Sequence, residues 1–234
     1  MKLFDEVIET LPDYPIKDVR TGPFWTAVMS RGCGLALTFP EPYRMFVSQC
    51  WALIGKSAKE VAEFAKSWNP TEAAIGVAAI NSLIEADGKN INALDYIMEI
   101  GKGKNITFVG HFPRMDKIRA VAKKLNIIEK RMQMGDYPDT ASEFIIPQSD
   151  IVVITGSSFV NKSYKRLLEL SQNSYTILIG PSVIMSDVLF DYGADVLAGS
   201  RIVNCKGVLE AVSQGGHLKD FSKYIEYVMK FKER

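Results

Sequence analysis

The sequence predicts an α/β fold in which a small α+β unit is followed by a doubly wound parallel sheet. In the second half, four short apolar runs, ITFVG, IVVITG, TILIG and VLAG, end at Gly110, Gly156, Gly180 and Gly199. Continuous Val/Ile/Leu runs are typical of parallel strands that are buried on both faces. Ligands of such open sheets bind in the crevice beyond the carboxyl ends of the strands. We therefore expect these glycine turns to line a site.

Composition narrows the class of protein. The chain has 234 residues, 47% of them hydrophobic, which is enough for a substantial core. Lys plus Arg is 28 and Asp plus Glu is 27, so charge gives no reason to expect nucleic acid or an anionic membrane as a partner. The longest apolar stretch, residues 73–80, is shorter than the roughly 18 residues of a spanning helix. The N-terminus has acidic residues where a signal peptide needs basic ones, so we expect a cytoplasmic protein.

The first half has the pattern of a small α+β unit. Residues 1–11 carry apolar side chains at helical spacing, and Pro12 ends this helix. Residues 17–29 and 34–39 have strand character on either side of a turn-like segment, which predicts a β-hairpin.

Two further helices complete this unit. Ser57 and Glu60 form a capping box at the start of the first. Asn69 and Pro70 begin the second, which extends to residue 86 and is apolar nearly all the way round, so we expect it to be buried.

From residue 105 onward, strands and helices alternate, and this alternation predicts the parallel sheet. The expected strands are 106–110, 126–130, 150–156, 175–180 and 194–199. The expected helices are 114–125 with Asn126 as its C-cap, 161–170 with Asn161 as its N-cap, 183–192, and two more at the C-terminus. We place the domain boundary near the glycine- and lysine-rich segment 101–104, dividing the chain into 1–101 and 102–234.

The turns at the strand ends limit which ligands the site can bind. The first has no G-x-G-x-x-G spacing, so NAD or FAD in its usual pose is not expected. Glu129 follows the second strand, where an acidic residue can bind a ribose, although glutamates are common at strand ends. Thr155-Gly156-Ser157 and Gly180-Pro181-Ser182 offer hydroxyls and N–H groups that suit a carboxylate or phosphate. A plain helix cap would explain the same residues.

A few polar residues stand out individually. His111, one of two histidines, is the best candidate for a ligand or proton-transfer group; the alternative is a histidine that only holds its turn. Asn81 lies in an apolar helix and needs a hydrogen-bond partner, which we expect across an interface. Cys33, Cys50 and Cys205 have neither zinc-site nor disulfide spacing, and we expect buried free thiols. No motif assigns a reaction, so catalytic residues are unknown.

Taken together, several segments resemble one known family, the two-domain proteins called "Putative heavy-metal chelation". The matching segments are Gly76, residues 78–81, 109–113 and 135–138, Asp150, residues 155–157, Asn161, residues 180–182 and residues 198–199. The resemblance implies an enolase N-terminal-like α+β domain packed on a Rossmann-like domain. It also implies a site between the two domains, with Asn81 opposite the glycine turns. A heavy-metal ion or metal chelate is the implied ligand, although no His/Cys cluster in the sequence would hold a soft metal directly.

We therefore expect the protein to bind, or help make, a metal-chelating anionic ligand in the crevice between the domains. The expected ligand-binding residues are Asn81, Gly110, His111, Phe112, Pro113, Glu129, Thr155, Gly156, Ser157, Asn161, Gly180, Pro181 and Ser182, with His111 as candidate metal ligand. One alternative is a transferase-like enzyme that uses S-adenosylmethionine or a nucleotide, with Glu129 on the ribose. Another is a dimeric scaffold built on the Ala-rich helix, and a homodimer is compatible with each hypothesis.

Overall fold

The computed structural model describes residues 1–39, 47 and 52–233. Its first half contains α1 (Lys2–Thr10), β1 (Asp18–Thr21), β2 (Trp25–Met29), β3 (Cys33–Leu37), α2 (Ala58–Ala62), α3 (Pro70–Leu83) and α4 (Ala93–Ile100). The second half contains β4 (Asn105–Val109), α5 (Met115–Val121), β5 (Lys124–Ile128), α6 (Ser142–Ile145), β6 (Ile151–Thr155), α7 (Ser158–Asn161), α8 (Tyr164–Leu170), β7 (Tyr175–Ile179), α9 (Val188–Asp191), β8 (Val196–Ile202), α10 (Cys205–Ser213), α11 (Leu218–Phe221) and β9 (Ile225–Phe231). Within the described ranges, no helix combines the length and apolar character that crossing a membrane requires.

The first sheet is an antiparallel meander of three strands in the order β1-β2-β3. The predicted hairpin was wrong in one respect, because its first strand is two strands that residues 22–24 separate. The N–H of Gly22 donates to the carbonyl of Trp25 at 2.8 Å, which closes the turn. A Cβ on Gly22 would lie 2.2 Å from the carbonyl oxygen of Val212, so helix α10 approaches this turn as closely as glycine permits.

The predicted helix starts of the first half are confirmed. The side chain of Ser57 accepts a hydrogen bond from the N–H of Glu60 at 3.1 Å. The Asn69 side chain accepts from the N–H groups of Thr71 and Glu72 at the start of α3. Ten of the fourteen residues of α3 are buried. A Cβ on Gly76 would lie 1.9 Å from the backbone nitrogen of Ala65, so this glycine lets α3 touch the preceding helical turn.

The predicted parallel sheet is confirmed. Its strand order is β5-β4-β6-β7-β8-β9, and the first five of these strands are parallel. Strand β9 was not predicted. It pairs antiparallel with β8, from Val196 opposite Phe231 to Ile202 opposite Ile225. The two C-terminal helices expected after the fifth strand are present, but α11 is only a single turn, and a 3-10 turn (Ser222–Tyr224) joins it to β9.

Three predicted boundaries were wrong. The helix expected over 114–125 ends at Val121, because residues 124–128 pair with β4 as strand β5. Asn126 is therefore not a C-cap: it is buried within β5, and its amide donates to the hydroxyl of Thr107 at 3.3 Å. The helix expected over 183–192 covers only Val188–Asp191.

Asn161 was also misassigned, since it ends the short helix α7 rather than capping α8. Its side-chain oxygen accepts hydrogen bonds from the N–H and the hydroxyl of Ser163, at 3.0 and 2.7 Å. The side chain therefore shapes the turn between the two helices.

Both sheets are covered on both faces. Alternate strand residues of the six-stranded sheet point to opposite sides, with Val152 facing α1, α3 and α8 and Val153 facing α4 and α5. In the three-stranded sheet, Ala36 packs toward α3 and Leu35 toward α10. A helix from the C-terminal end thus covers the N-terminal sheet. The division at residues 101 and 102 stays a prediction.

Candidate functional site

The strand order creates a switch point in the six-stranded sheet. Strands β5 and β6 lie on opposite sides of β4, and doubly wound sheets bind ligands where the order reverses in this way. Gly110 directly follows β4 and adopts φ 102°, a conformation that favours glycine. A Cβ at this position would lie 3.2 Å from the Cβ of Thr155 at the end of β6. The backbone therefore turns tightly at the switch point.

An open groove of about 1070 Å³ begins at this switch point. One wall consists of the turns after β4, β5 and β6 together with α7 and the start of α8. The other wall comes from the first half of the chain, namely Leu37, Phe39, Ser67, Trp68 and Pro70. The groove is thus assembled from both halves.

Some of the predicted site residues meet in this groove and others do not. Those that line it are Gly110, His111, Phe112, Glu129, Thr155, Ser157 and Asn161. Those that lie elsewhere are Asn81, Pro113, Gly156, Gly180, Pro181 and Ser182. The first set comes from the three strands at the switch point, whereas most of the second set belongs to the interface between the two sheets or to the turn after β7.

His111 is held by a buried carboxylate. Its Nε2 lies 2.8 and 2.9 Å from the two carboxylate oxygens of Asp136, whose side chain is only 3% exposed. Asp136 in turn accepts the N–H of Gln133 at 2.8 Å. In the neutral ring, Nε2 donates its N–H to the ionised carboxylate, which only accepts hydrogen bonds, and Nδ1 is then the nitrogen with a lone pair. Sequence analysis named Asp136 only within the family-matching segment 135–138 and gave it no role at the site; it lies in the loop after β5.

Glu129 supports the backbone of two loops. One carboxylate oxygen accepts the N–H of His111 at 3.3 Å, and the other accepts the N–H of Arg131 at 3.1 Å. The N–H of Glu129 itself donates to the carbonyl of Tyr137 at 2.9 Å. Glu129 therefore fixes the turn that carries His111, and its lone pairs are partly engaged by these donors.

The turn after β6 brings two hydroxyls to the groove. The hydroxyls of Thr155 and Ser157 lie 3.0 Å apart, and the N–H of Ser157 donates to Thr155 Oγ1 at 3.3 Å. Asn161 lines the groove one helical turn later, with its amide oxygen committed to Ser163. The amide nitrogen of Asn161 and the two hydroxyls are groups that can donate to an anion.

Lys162 is one of four basic residues that line the groove and that sequence analysis did not single out; the others are Lys130, Arg131 and Arg166. Lys162 adopts φ 67°, an uncommon left-handed conformation for lysine. Its ammonium donates to the carbonyl of Val160 at 2.9 Å and lies 5.7 Å from the centre of the Phe4 ring. No carboxylate of the described residues pairs with it, and burial lowers the pKa of Lys162 to about 8. The one sign of it in the sequence is a group of basic residues, Lys162, Lys165 and Arg166, that begins four positions after Ser158.

The predicted residues outside the groove hold the chain together. The amide of Asn81 donates to the carbonyl of Leu35 at 3.0 Å, a partner in the adjacent strand β3. With Pro181 it lines a separate cavity of about 10 Å³. The hydroxyl oxygen of Ser182 accepts the N–H of Leu37 at 2.9 Å, which ties the turn after β7 to β3.

Gly156, Gly180 and Pro113 have backbone or surface roles in the structure. A Cβ on Gly156 would lie 2.5 Å from the backbone nitrogen of Val183, so this glycine permits contact between two turns. Gly180 adopts φ 114°, which favours glycine for conformational reasons. Pro113 is exposed beside the groove turn.

The donor set of the described residues does not suit direct coordination of a heavy metal. Within the described ranges, no cluster of three or more His, Cys, Asp or Glu side chains could hold a metal ion. Cys33 and Cys205 are free thiols as expected, but they are partly exposed rather than buried, and Cys50 lies outside the described residues. Protein sites for such metals use about three or four ligands. A metal that binds in the groove would therefore have to bring most of its ligands with it.

Comparisons with known proteins assign the family. A family model described as "Putative heavy-metal chelation" matches residues 92–231, more than half of the chain. This chain belongs to that family. A second model with the same description matches residues 4–84. The resemblance noted from the sequence is thereby confirmed.

Individual relatives agree with this assignment. An uncharacterized protein of Methanocaldococcus jannaschii is 27% identical over 187 residues, which is 74% of this chain and 71% of the relative. A family member of unknown function from Desulfitobacterium hafniense has a crystal structure that matches with a TM-score of 0.88 and 29% identity, over 99% of this chain and 98% of that one. A second family member of unknown function, from Pyrococcus horikoshii, has a crystal structure that matches with a TM-score of 0.83 and 22% identity, over 99% of this chain and 98% of that one. This match shows a common fold.

Proposed function

We propose that the switch-point groove binds an anionic metal chelate. The observation that carries this proposal is Lys162, a half-buried cation in the groove without a carboxylate partner among the described residues. A lysine whose charge is disfavoured by burial gains stability when an anion lies beside it. The hydroxyls of Thr155 and Ser157 and the amide nitrogen of Asn161 line the same space and can donate to carboxylates.

The family description supports a ligand that contains a metal. The lack of a metal-binding cluster among the described residues supports a metal that is already bound by a chelator. His111 would supply a single imidazole nitrogen, Nδ1, with Asp136 holding the ring through Nε2. Carboxylate–histidine pairs of this kind orient metal-binding imidazoles in many proteins. One nitrogen is too few for a tight site on its own, but it is enough to bind a chelate that has an open coordination position.

The experiment is a binding titration with three probes: Ni²⁺ alone, citrate alone, and Ni²⁺ with citrate in equal amounts. We expect saturable binding only for the combination, measured by calorimetry and by thermal shift. At a ligand concentration about 100 times the dissociation constant, the shift should correspond to roughly 2.7 kcal/mol. Equal binding of Ni²⁺ alone would contradict the chelate proposal.

The variants that test the site are His111→Ala and Lys162→Met. Each removes one group from the groove wall, so we expect each to weaken nickel citrate binding by about tenfold or more, as the loss of one charged contact does. The matched control is Lys206→Met, since Lys206 is exposed on α10 away from the groove. Unchanged affinity in both groove variants would remove the assignment.

The transferase alternative is tested by the same titration with S-adenosylmethionine. Both carboxylate oxygens of Glu129 already accept backbone N–H groups, so a ribose would have to share them. Binding of S-adenosylmethionine that is lost in Glu129→Ala would replace the chelate proposal with this alternative. The homodimer stays a prediction, which sedimentation analysis can test.

A further inference from the structure

The two walls of the switch-point groove differ in chemistry. The wall from the second half of the chain carries basic side chains, hydroxyls and an imidazole. The other wall consists of Leu37, Phe39, Ser67, Trp68 and Pro70, four of which are apolar or aromatic. The Ser67 hydroxyl is already engaged, because it donates to Glu72 at 2.7 Å and accepts the N–H of Asn69 at 3.0 Å. A ligand that fills the groove therefore meets cations on one side and mainly apolar surface on the other.

Trp68 is the largest side chain of the apolar wall, and water reaches most of it. Its exposed fraction is 77%, whereas tryptophan is highly buried on average. The backbone on either side of it is fixed. The N–H of Ser67 donates to the carbonyl of Phe64 at 2.9 Å, and the carbonyl of Asn69 accepts the N–H of Ala73 at 2.8 Å. The indole is therefore presented to the groove on a rigid support.

The exposed indole favours a flat ring as its partner. Among the described residues, no aromatic ring pairs with Trp68. Aromatic rings that stack gain more than their buried area alone provides, because their quadrupoles are complementary in offset or edge-to-face arrangements. An aliphatic chelator such as citrate can bind the cations of the other wall, but it offers the indole no flat apolar face.

On the basis of the chelate binding proposed above, we infer that the chelator is aromatic. It is a planar ring that bears the metal-binding carboxylates, with one face of the ring on the indole of Trp68. Its carboxylates point toward Lys162 and the hydroxyls of Thr155 and Ser157, which line the opposite side of the groove. Such a molecule matches both walls at once.

The test compares two nickel complexes that differ only in the ring of the chelator. One chelator is a pyridine tricarboxylate with carboxyl groups beside the nitrogen on both sides and at the position opposite it; the other is the saturated piperidine with the same carboxyl groups. Both provide the same kinds of donor atoms, and their complexes with equimolar Ni²⁺ carry the same net charge. Calorimetry on the untagged full-length protein should show binding of the pyridine complex that is about tenfold tighter. Equal affinities for the two complexes would overturn the inference.

Variants of Trp68 locate the preference for the ring. Trp68→Ala should reduce the ratio of the two affinities to about twofold or less, and Trp68→Phe should keep part of it, because a phenyl ring still stacks. The matched control is Phe144→Ala, since Phe144 is 74% exposed on α6 and does not line the groove. It should leave the ratio unchanged. A tenfold preference that persisted in Trp68→Ala would contradict the contact with the indole. Thermal unfolding checks that each variant is folded.

Titrations without nickel separate this inference from the proposed function. If the pyridine tricarboxylate binds without nickel and the piperidine does not, while neither nickel complex binds, the aromatic ligand is supported and the metal is wrong. If both nickel complexes bind equally, the chelate function is supported and the aromatic ring is wrong. A pyridine tricarboxylate that does not bind either with or without nickel would also overturn the aromatic ligand.

Discussion

At the scale of single residues, Lys162 connects the stability of the protein to the proposed function. Its ammonium is partly removed from water, and its nearest contacts are a carbonyl and an aromatic ring. Burial lowers its pKa to about 8, below the ordinary value of 10.5. The charge of Lys162 therefore destabilises the folded protein when no ligand is bound, and an anion in the groove would reduce this destabilisation.

Removing this charge should stabilise the free protein in a way that depends on pH. Below pH 8, Lys162 is protonated in both the folded and the unfolded state, so burying its charge destabilises the folded state in full. Above pH 10.5, Lys162 is neutral in both states, and this destabilisation is absent. We expect Lys162→Met to raise the free energy of unfolding at pH 7 by about 1 kcal/mol, after allowing for the partial exposure of the group. Urea denaturation should show this gain shrinking between pH 8 and pH 10.5.

The matched control is Lys165→Met, because Lys165 is exposed on α8. It should change stability little at either pH. A gain for Lys162→Met that is equal at pH 7 and above pH 10 would mean that burial of the charge is not its cause.

At the scale of elements, the cap of α3 links a helix start to the groove. Asn69 accepts two N–H groups of the first turn, and its neighbours Trp68 and Pro70 line the groove wall. Asn92 caps α4 in the same way, through the N–H groups of Leu94 and Asp95, but does not line the groove. The two caps therefore form a matched pair.

We expect Asn69→Ala and Asn92→Ala each to lower the free energy of unfolding by about 1 kcal/mol, the usual cost of losing an N-cap. Only the Asn69 variant should also weaken binding of nickel citrate, because it loosens the groove wall. Urea denaturation measures the first effect and calorimetry the second. If both variants weakened binding equally, the cause would be the lower stability of the protein and not a change in the groove wall.

At the scale of the whole molecule, the two sheets are joined by contacts between distant parts of the chain. Ser182, which is 3% exposed, accepts the N–H of Leu37 from the three-stranded sheet. The hydroxyl of Tyr192 donates to Glu6 at 2.7 Å, joining the segment after α9 to α1. Helix α10 covers the outer face of the N-terminal sheet with Val208 and Val212. The groove wall thus depends on packing between the two halves.

We expect Ser182→Ala to lower the free energy of unfolding by about 1–2 kcal/mol, since it leaves the N–H of Leu37 without its acceptor. The control is Ser213→Ala, whose hydroxyl donates only within its own helix, to Leu209 at 2.9 Å. Denaturant unfolding of both variants measures the difference. A loss no larger than that of the control would show that the link between the sheets contributes little.

The sequence determined the parallel strands and the glycine turns of this protein. Burial on both faces requires continuous apolar runs, and such runs are visible locally, as in residues 151–155 and 175–179. The cap of Asn69 was equally visible, because a cap depends on residues only two or three positions away. His111 could be placed at the sheet edge because it follows the end of one of these apolar runs.

The tertiary structure alone decided which of those turns form the groove. Strand β9 and the early start of β5 depend on pairing with strands elsewhere in the chain, which local pattern does not encode. Asp136 reaches His111 only because the loop after β5 folds back toward the turn after β4. Lys162 became notable through its burial beside Phe4, at the other end of the sequence. Contacts between distant residues are set by packing and register, and these are properties of the folded chain as a whole.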